Sequence, residues 1–361
     1  MGPSGLSQTC PAIQFAARAA LWDCLGLGHA PAPRRDDALV ARTLSRWWGL
    51  VASAVHYLPK GAGSYHWVVA AGPDRYFVAV DDLASKPWIG GDAESAFVGL
   101  ARCYQAAWDL QNRSGLDLVV GPVPTAEGGA TVRLAERYSL TLFPFIDGAA
   151  GEWADPLTPA LAGDLVLGLG RLHQVSPADL GLSERPFDIT ERAELATALG
   201  ALDRPWTAGP HSEDARLALA AGAGSARAWL SELDALAAQL AGEGTRRVVT
   251  HGEPHPGNLI RTDAGLRLVD WDTVALAPPE RDVWMLAQAC PECVPAYEAA
   301  SGQRLSPGAL QLFELAWTLS DIAAFAAMFR ARHPDTGWVR LKLDAFRRLL
   351  AGERSAPYAQ P

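Results

Sequence analysis

The residues best suited to chemistry lie in one short stretch. His251-Gly252-Glu253-Pro254-His255-Pro256-Gly257-Asn258 gathers two histidines, a carboxylate and an amide, and Asp270 follows shortly after. Its prolines and glycines rule out a regular helix, so the stretch must be a shaped loop. Beyond it, Leu259 to Thr262 and Leu266 to Val269 read as two strands joined by the turn Asp263-Ala264-Gly265, with Gly265 free to take a positive φ. In that register Thr262 faces Leu266 and, following the ladder back, Asn258 faces Asp270. An amide oxygen and a carboxylate then meet at the open end of a hairpin. Such hard oxygen donors suit Mg²⁺, which takes few protein ligands and leaves positions for phosphate and water. Glu253, a few residues upstream, is placed to accept a proton from an incoming hydroxyl. His251 and His255 are four apart, as in helical zinc sites, but the prolines at 254 and 256 remove the helix that such a site needs.

The elements that must position these groups divide in two. A chain of 361 residues with 49% hydrophobic content has material for two packed cores. Asp36 to Trp48 patterns as a capped amphipathic helix. Strand-like runs at Ala54 to Leu58, His66 to Ala70 and Tyr76 to Val80 suggest an antiparallel meander, with Asp117 to Val120 and Tyr138 to Phe145 as further strands and Ala93 to Leu110 as a helix. A five-stranded sheet with one crossing helix is therefore expected before residue 146. Afterwards long Ala- and Leu-rich periodic stretches predict helices at Pro159 to His173, Glu191 to Leu202, Glu213 to Ala241 and Ser306 to Phe329, interrupted by short strands around the chemical loop.

The run from His251 to Asn258, followed by Val269-Asp270-Trp271, resembles the catalytic and metal loops of the aminoglycoside phosphotransferase family, relatives of the protein kinases. Pro279-Glu280-Arg281-Asp282 and the linker-like Leu142-Phe143-Pro144-Phe145-Ile146-Asp147-Gly148 extend the likeness, the stretch Phe143 to Gly151 being most similar to spectinomycin-type members. The resemblance implies an α+β, bilobal protein-kinase-like fold: residues 1–35 an extension, 36–146 a nucleotide-binding lobe, and 147–361 a helical lobe with the catalytic and metal loops and the acceptor site. It implies ATP or GTP and Mg²⁺ as cofactors, Asn258 and Asp270 as metal ligands, and Glu253 as the group that orients or deprotonates the acceptor hydroxyl. Phe143, Phe145 and Ile146 would contact the nucleotide base, while Gly61, Gly63 and Ser64 would lie near the phosphates. His251, Asp272 and Asp282 match positions that brace the catalytic loop.

Two positions depart from the family pattern. Glu253 stands where Asp is usual, and its extra methylene moves the carboxylate by about 1 Å. Ala79 stands at the usual place of the phosphate-binding Lys, which leaves Lys60 and Lys86 as candidates to supply that cation, a Lys stem reaching roughly 6 Å. The acidic partner in the first lobe's helix is unassigned, Glu94 being the nearest candidate.

The implied activity is transfer of a γ-phosphoryl group to a hydroxyl of a small molecule, an aminoglycoside or aminocyclitol being the family expectation. A catalytically weak nucleotide-binding module is the alternative. Net charge −9 argues against nucleic acid as a partner and tolerates a cationic acceptor, with Asp188, Glu191 and Glu194 as possible contacts. No apolar stretch suggests a membrane span, and five irregularly spaced cysteines suggest a reducing compartment, so a cytoplasmic location is expected. Cys290 and Cys293 have redox or zinc spacing without a second pair, and no site is assigned to them.

Overall fold

The computed structural model describes residues 36–59, 64–153 and 155–353. Lys60, Gly61 and Gly63, expected near the phosphates, and the extension 1–35 lie outside the described residues.

The chain opens on α1 (Asp37–Trp48), where Asp36 accepts from the Leu39 amide at 2.9 Å and Gly49 ends the helix in the left-handed region. Then come β1 (Ala54–Leu58), β2 (Ser64–Ala71), β3 (Asp74–Asp82), helix α2 (Ala93–Asn112), β4 (Val132–Arg133) and β5 (Tyr138–Pro144). These strands form one antiparallel sheet in the order β1-β2-β3-β5-β4. The expected count of five holds, but the membership differs. Residues 117–120 are not a strand and make a single parallel bridge, Val119 to Leu268, so the fifth strand is Val132–Arg133. The backbone of 117–120 instead joins the sheet-rich part to the hairpin of the chemical loop, Val120 N donating to Leu268 O and Leu268 N to Leu118 O.

Helix α2 begins at a capping box between Asp92 and Ser95. It buries Ala96, Leu100 and Tyr104 against Leu83 and Ala130, with Tyr104 edge-on to Phe143 at 5.4 Å.

The remainder is mainly helical: β6 (Ala149–Ala150), α3 (Pro159–Leu172), α4 (Arg192–Gly200), α5 (Ser212–Gly242), β7 (Val248–Thr250), β8 (Leu259–Thr262), β9 (Gly265–Leu268), β10 (Ala275–Ala277), α6 (Glu280–Ala289), α7 (Val294–Ser301), α8 (Pro307–Arg330) and α9 (Gly337–Leu350). One large core joins these helices. Helix α8 is long and apolar enough to cross a membrane, yet 67% of its apolar window is buried, and it packs against α4, α5, α6 and α9, as befits the central helix of a packed bundle. Between the helices, β7 pairs with β10, and β6 with the hairpin β8–β9.

That hairpin pairs Thr262 with Gly265 and Leu259 with Leu268. The register is one residue from the expected one, because the turn holds two residues, Asp263 and Ala264, rather than three. Asn258 therefore lies opposite Val269, whose amide donates to the Asn258 carbonyl at 3.0 Å, and Asp270 sits one step beyond the ladder.

Cys290 and Cys293 are disulfide-bonded, contrary to the expectation of reduced thiols. The 3-10 turn Pro291–Cys293 brings their Cα atoms to 5.4 Å, within bridging range.

Candidate active site

A cavity of about 700 Å³ opens between the sheet-rich and helical parts and is lined by Ala79, Lys86, Phe143, Glu253, Asp270 and Trp317, among others.

The chemical loop is held from behind. The Asp282 carboxylate, at the start of α6, accepts from the backbone amides of His251 at 2.8 Å and Gly252 at 2.5 Å. It also meets His173 Nε2 at 3.1 Å, and His173 Nδ1 meets the Tyr297 hydroxyl at 2.5 Å, so α3, α6 and α7 are tied to the loop through one buried chain. Burial opposes ionisation of Asp282, but the bonds to His173 outweigh it and hold its carboxyl below the ordinary range. His251 bridges Val269 O through Nε2 at 3.0 Å, and its Nδ1 accepts from Glu253 N at 3.1 Å. That pairing fixes a neutral ring with the proton on Nε2, and burial lowers its pKa to about 4. Arg281 donates to Thr250 Oγ1 and Thr273 O and fills the space beside Gly252, which has φ 102°; a Cβ there would collide with the guanidinium. His251 and Asp282 thus occupy bracing positions. His173, Tyr297 and Arg281 were not found from sequence, since each acts through a contact far away along the chain.

Asn258 is fully buried. Its amide nitrogen donates to Glu253 O at 2.9 Å and lies 3.3 Å from His255 Nε2, whereas its Oδ1 has no hydrogen-bond partner. An orphaned buried amide oxygen calls for an explanation, and a cation supplies one. Asp270 is the one described non-glycine residue with positive φ, 68°, a strained conformation of the kind retained at functional positions. Its carboxyl is raised well above the ordinary range by burial, then by repulsion from Asp272, with Lys86 opposing. A divalent cation would relieve both the burial and the repulsion. Among the described residues no three His, Cys, Asp or Glu side chains form a metal cage.

Lys86 is the described member of the two candidate cations, and it lies in the cavity. Its ammonium is 2.6 Å from Asp272 Oδ2 and 3.1 Å from Asp81 Oδ1 and is almost fully buried. Burial alone would lower its pKa; Asp272 and Asp81 outweigh burial and keep it above the usual lysine range. Asp81 in turn accepts from Ser64 Oγ at 2.6 Å and from the Tyr104 hydroxyl of α2 at 3.2 Å. Phe77, Ala79 and Asp81 alternate along β3 on its cavity face, and Asp81 is the residue of that face which pairs with Lys86. Asp272, expected only to brace, holds the lysine. Glu94 takes no part in this cluster and pairs with Arg133 at 2.6 Å. Asp81 and Tyr104 were missed, although the period-two pattern of β3 puts Asp81 on the face of Ala79.

Near the linker, Phe143, Pro144 and Ile146 line the cavity with Val120, Ile260 and Val269. Phe145 does not: its ring lies under the Arg75 guanidinium at 4.3 Å on the outer side, and its amide donates to Arg75 O. Continued alternation would put residues 143 and 145 on one face, but β5 ends at Pro144, and beyond that end residue 145 turns away while 143 faces in.

The sequence model of the phosphotransferase enzyme family (APH) matches residues 69–313, more than half of the chain. This protein belongs to that family. Protein StrN of Streptomyces griseus is 29% identical to this phosphotransferase-family chain over 248 residues, 64% of this chain and 73% of StrN. Among solved structures, spectinomycin phosphotransferase APH(9)-Ia in complex with ADP and spectinomycin shares the fold with a TM-score of 0.66 at 14% identity, covering 87% of this chain and 96% of that one. Amicoumacin kinase hAmiN with AMP-PNP and Ca²⁺ shares it with a TM-score of 0.57 at 12% identity, covering 90% and 96%. The fold is the bilobal, kinase-like α+β architecture.

Proposed function

We propose that this chain is a small-molecule kinase that moves the γ-phosphoryl group of ATP or GTP onto a hydroxyl of a small acceptor. The observation that carries the reading is the convergence, in one cavity, of Glu253, the buried Asp270 carboxyl and the Lys86 ammonium, with the partnerless Oδ1 of Asn258 just behind the lining, where its amide nitrogen donates to Glu253 O. In this reading residues 36–146 form the nucleotide lobe, and residues 147–361 carry the catalytic and metal loops and the acceptor site.

The residues present fit Mg²⁺: Asn258 and Asp270 offer hard oxygens, and the absence of a larger cage among the described residues leaves coordination positions to phosphate and water. When bound, the ion supplies charge neutralisation and orientation of the phosphates. The apolar slot formed by Phe77, Val120, Ile260 and Val269 takes the nucleotide base beside the linker. Lys86 supplies the cation missing at Ala79, and Ser64 steadies Asp81 behind it. Glu253 accepts the proton of the acceptor hydroxyl at its carboxylate, which lines the cavity. Aminoglycosides and aminocyclitols are the first acceptor classes to test, and transfer to them would confer resistance.

A second reading, a nucleotide-binding module without transferase activity, is favoured by Glu253 in place of Asp and by the two carboxylates that engage Lys86. Labelled γ-phosphate offered with Mg²⁺ to a panel of aminoglycosides, aminocyclitols, sugars and aryl amino alcohols separates the two, with Asp270→Ala as the blank. A labelled product absent from the blank supports the kinase. Nucleotide binding with no product from any acceptor supports the module.

A further inference from the structure

Across the cavity from β3 the wall is built from residues 181–191, α6 and α8. Its character differs from what a polycationic ligand requires. Two of the acidic side chains on it are already paired: Glu184 lies 3.1 Å from Arg247, and Asp188 lies 2.7 Å from Arg192. Glu94, on the α2 side, is held by Arg133. Glu194, expected as a possible contact, does not line the cavity. Arg185 and Arg102 also line the cavity and repel ammonium groups brought close to them.

One carboxylate stands apart. Glu191 occupies the cap position of α4, yet its side chain makes no capping bond, and its Oε2 is buried without a hydrogen-bond partner while the residue lines the cavity. A buried carboxylate oxygen left unpaired is costly and is relieved by a cationic partner.

The part of the wall on α6 and α8 is rich in aromatic rings. Phe313, Trp317 and Trp284 line it, and Trp317 is backed by Trp153, stacked at 5.6 Å with 18° between ring planes. Trp153 is edge-on to His255 at 4.4 Å, so the aromatic wall is continuous with the chemical loop. Aromatic faces bind flat apolar bodies and single cations well.

We infer that the acceptor is amphipathic, with a flat apolar or aromatic body that packs on Phe313 and Trp317 and a single cationic nitrogen that pairs with Glu191, rather than a polycationic aminosugar. This inference rests on the kinase reading for the use of the pocket, but binding tests it separately from transfer.

Three probes isolate the two features. The deacylated base of chloramphenicol carries an aryl ring, two hydroxyls and one ammonium; chloramphenicol keeps the aryl body and hydroxyls without the charge; kanamycin carries several ammonium groups and no apolar face. Calorimetric titration of the full chain without nucleotide is expected to give tightest binding to the aryl amine, with chloramphenicol about tenfold weaker and kanamycin weaker still. Glu191→Gln is expected to erase the difference between the amine and its neutral analogue while leaving chloramphenicol binding unchanged. Phe313→Leu is expected to weaken both aryl ligands together. Kanamycin binding as tightly as the aryl amine, no binding of the aryl amine, or an unchanged amine preference in a folded Glu191→Gln would overturn the inference. The expected order of binding without transfer of labelled phosphate would uphold this pocket assignment and remove the kinase reading instead.

Discussion

The Lys86 ammonium lies 2.6 Å from Asp272 Oδ2 and 3.1 Å from Asp81 Oδ1, joining the end of β3 to the turn that follows Asp270. In the kinase reading Lys86, in the loop after β3, supplies the cation absent at Ala79, and Asp272 and Asp81 hold it.

Replacing Lys86 by Met leaves two buried carboxylates without their counter-charge. Breaking a buried pair in this way costs on the order of 3–5 kcal/mol. Lys86→Met is therefore expected to lower the thermal midpoint and, where it folds, to weaken nucleotide binding by about a hundredfold, whereas Lys60→Ala changes turnover little. Nucleotide titrations on both variants check this; the reverse order of effects would shift the phosphate-binding role to Lys60.

Tyr104 reaches Asp81 from α2, its hydroxyl raised well above the ordinary range by burial and then by Asp81 and Asp272. Removing that hydroxyl deletes one hydrogen bond to a charged group, worth about 1.5–3 kcal/mol. Tyr104→Phe is expected to raise the nucleotide KM several-fold with kcat nearly unchanged. Steady-state kinetics at saturating acceptor measure the split, and a loss confined to kcat would contradict it.

Gly252 combines φ 102° with the Arg281 guanidinium packed against it. A side chain there must both adopt a left-handed backbone and displace a buried cation. Gly252→Ala is expected to destabilise by roughly 2–4 kcal/mol, within the range of strain and overpacking costs. Urea unfolding of the variant provides the measurement, with an unchanged midpoint as the contrary result.

Burial holds His251 near pKa 4 and His255 near 3, against an ordinary 6.5. Below pH 6.5 the unfolded chain binds protons that the folded loop does not, so stability falls as pH drops from roughly 6.5 toward 4. Each histidine contributes about 1.4 kcal/mol per pH unit inside that window. The thermal midpoint of the nucleotide-free protein is expected to fall between pH 7 and pH 5, and a flat profile would show that the loop admits charge at these positions.

Much of this was legible in the sequence because local rules decide it. Helices α1, α2, α3, α8 and α9 open on side-chain caps, β1 to β3 are apolar runs bounded by turn residues, and the prolines of the His251 to Asn258 run force a loop. What escaped depends on contacts distant in the chain or on single-residue choices of register. The two-residue turn at Asp263-Ala264 moved Asn258 from Asp270 to Val269, because Gly265 accepts a positive φ as the first residue of β9 as readily as within the turn. Residues 117–120 carry a strand-like pattern, but their backbone bonds to Leu268 rather than to the main sheet. Phe145 points outward because it follows Pro144 at the end of a strand whose inward positions are already fixed. His173, Tyr297 and Arg281 carry no local signal that distinguishes them from other buried polar residues.

The most direct test of the central claim compares Glu253→Gln with the unaltered protein in transfer of labelled γ-phosphate to an acceptor, alongside nucleotide binding by titration. The account predicts that nucleotide binds both proteins within a few-fold, while transfer falls by 10²–10⁴, the range typical of general-base loss. Transfer that survives in Glu253→Gln at close to the original rate would contradict the assignment of Glu253 as the proton acceptor.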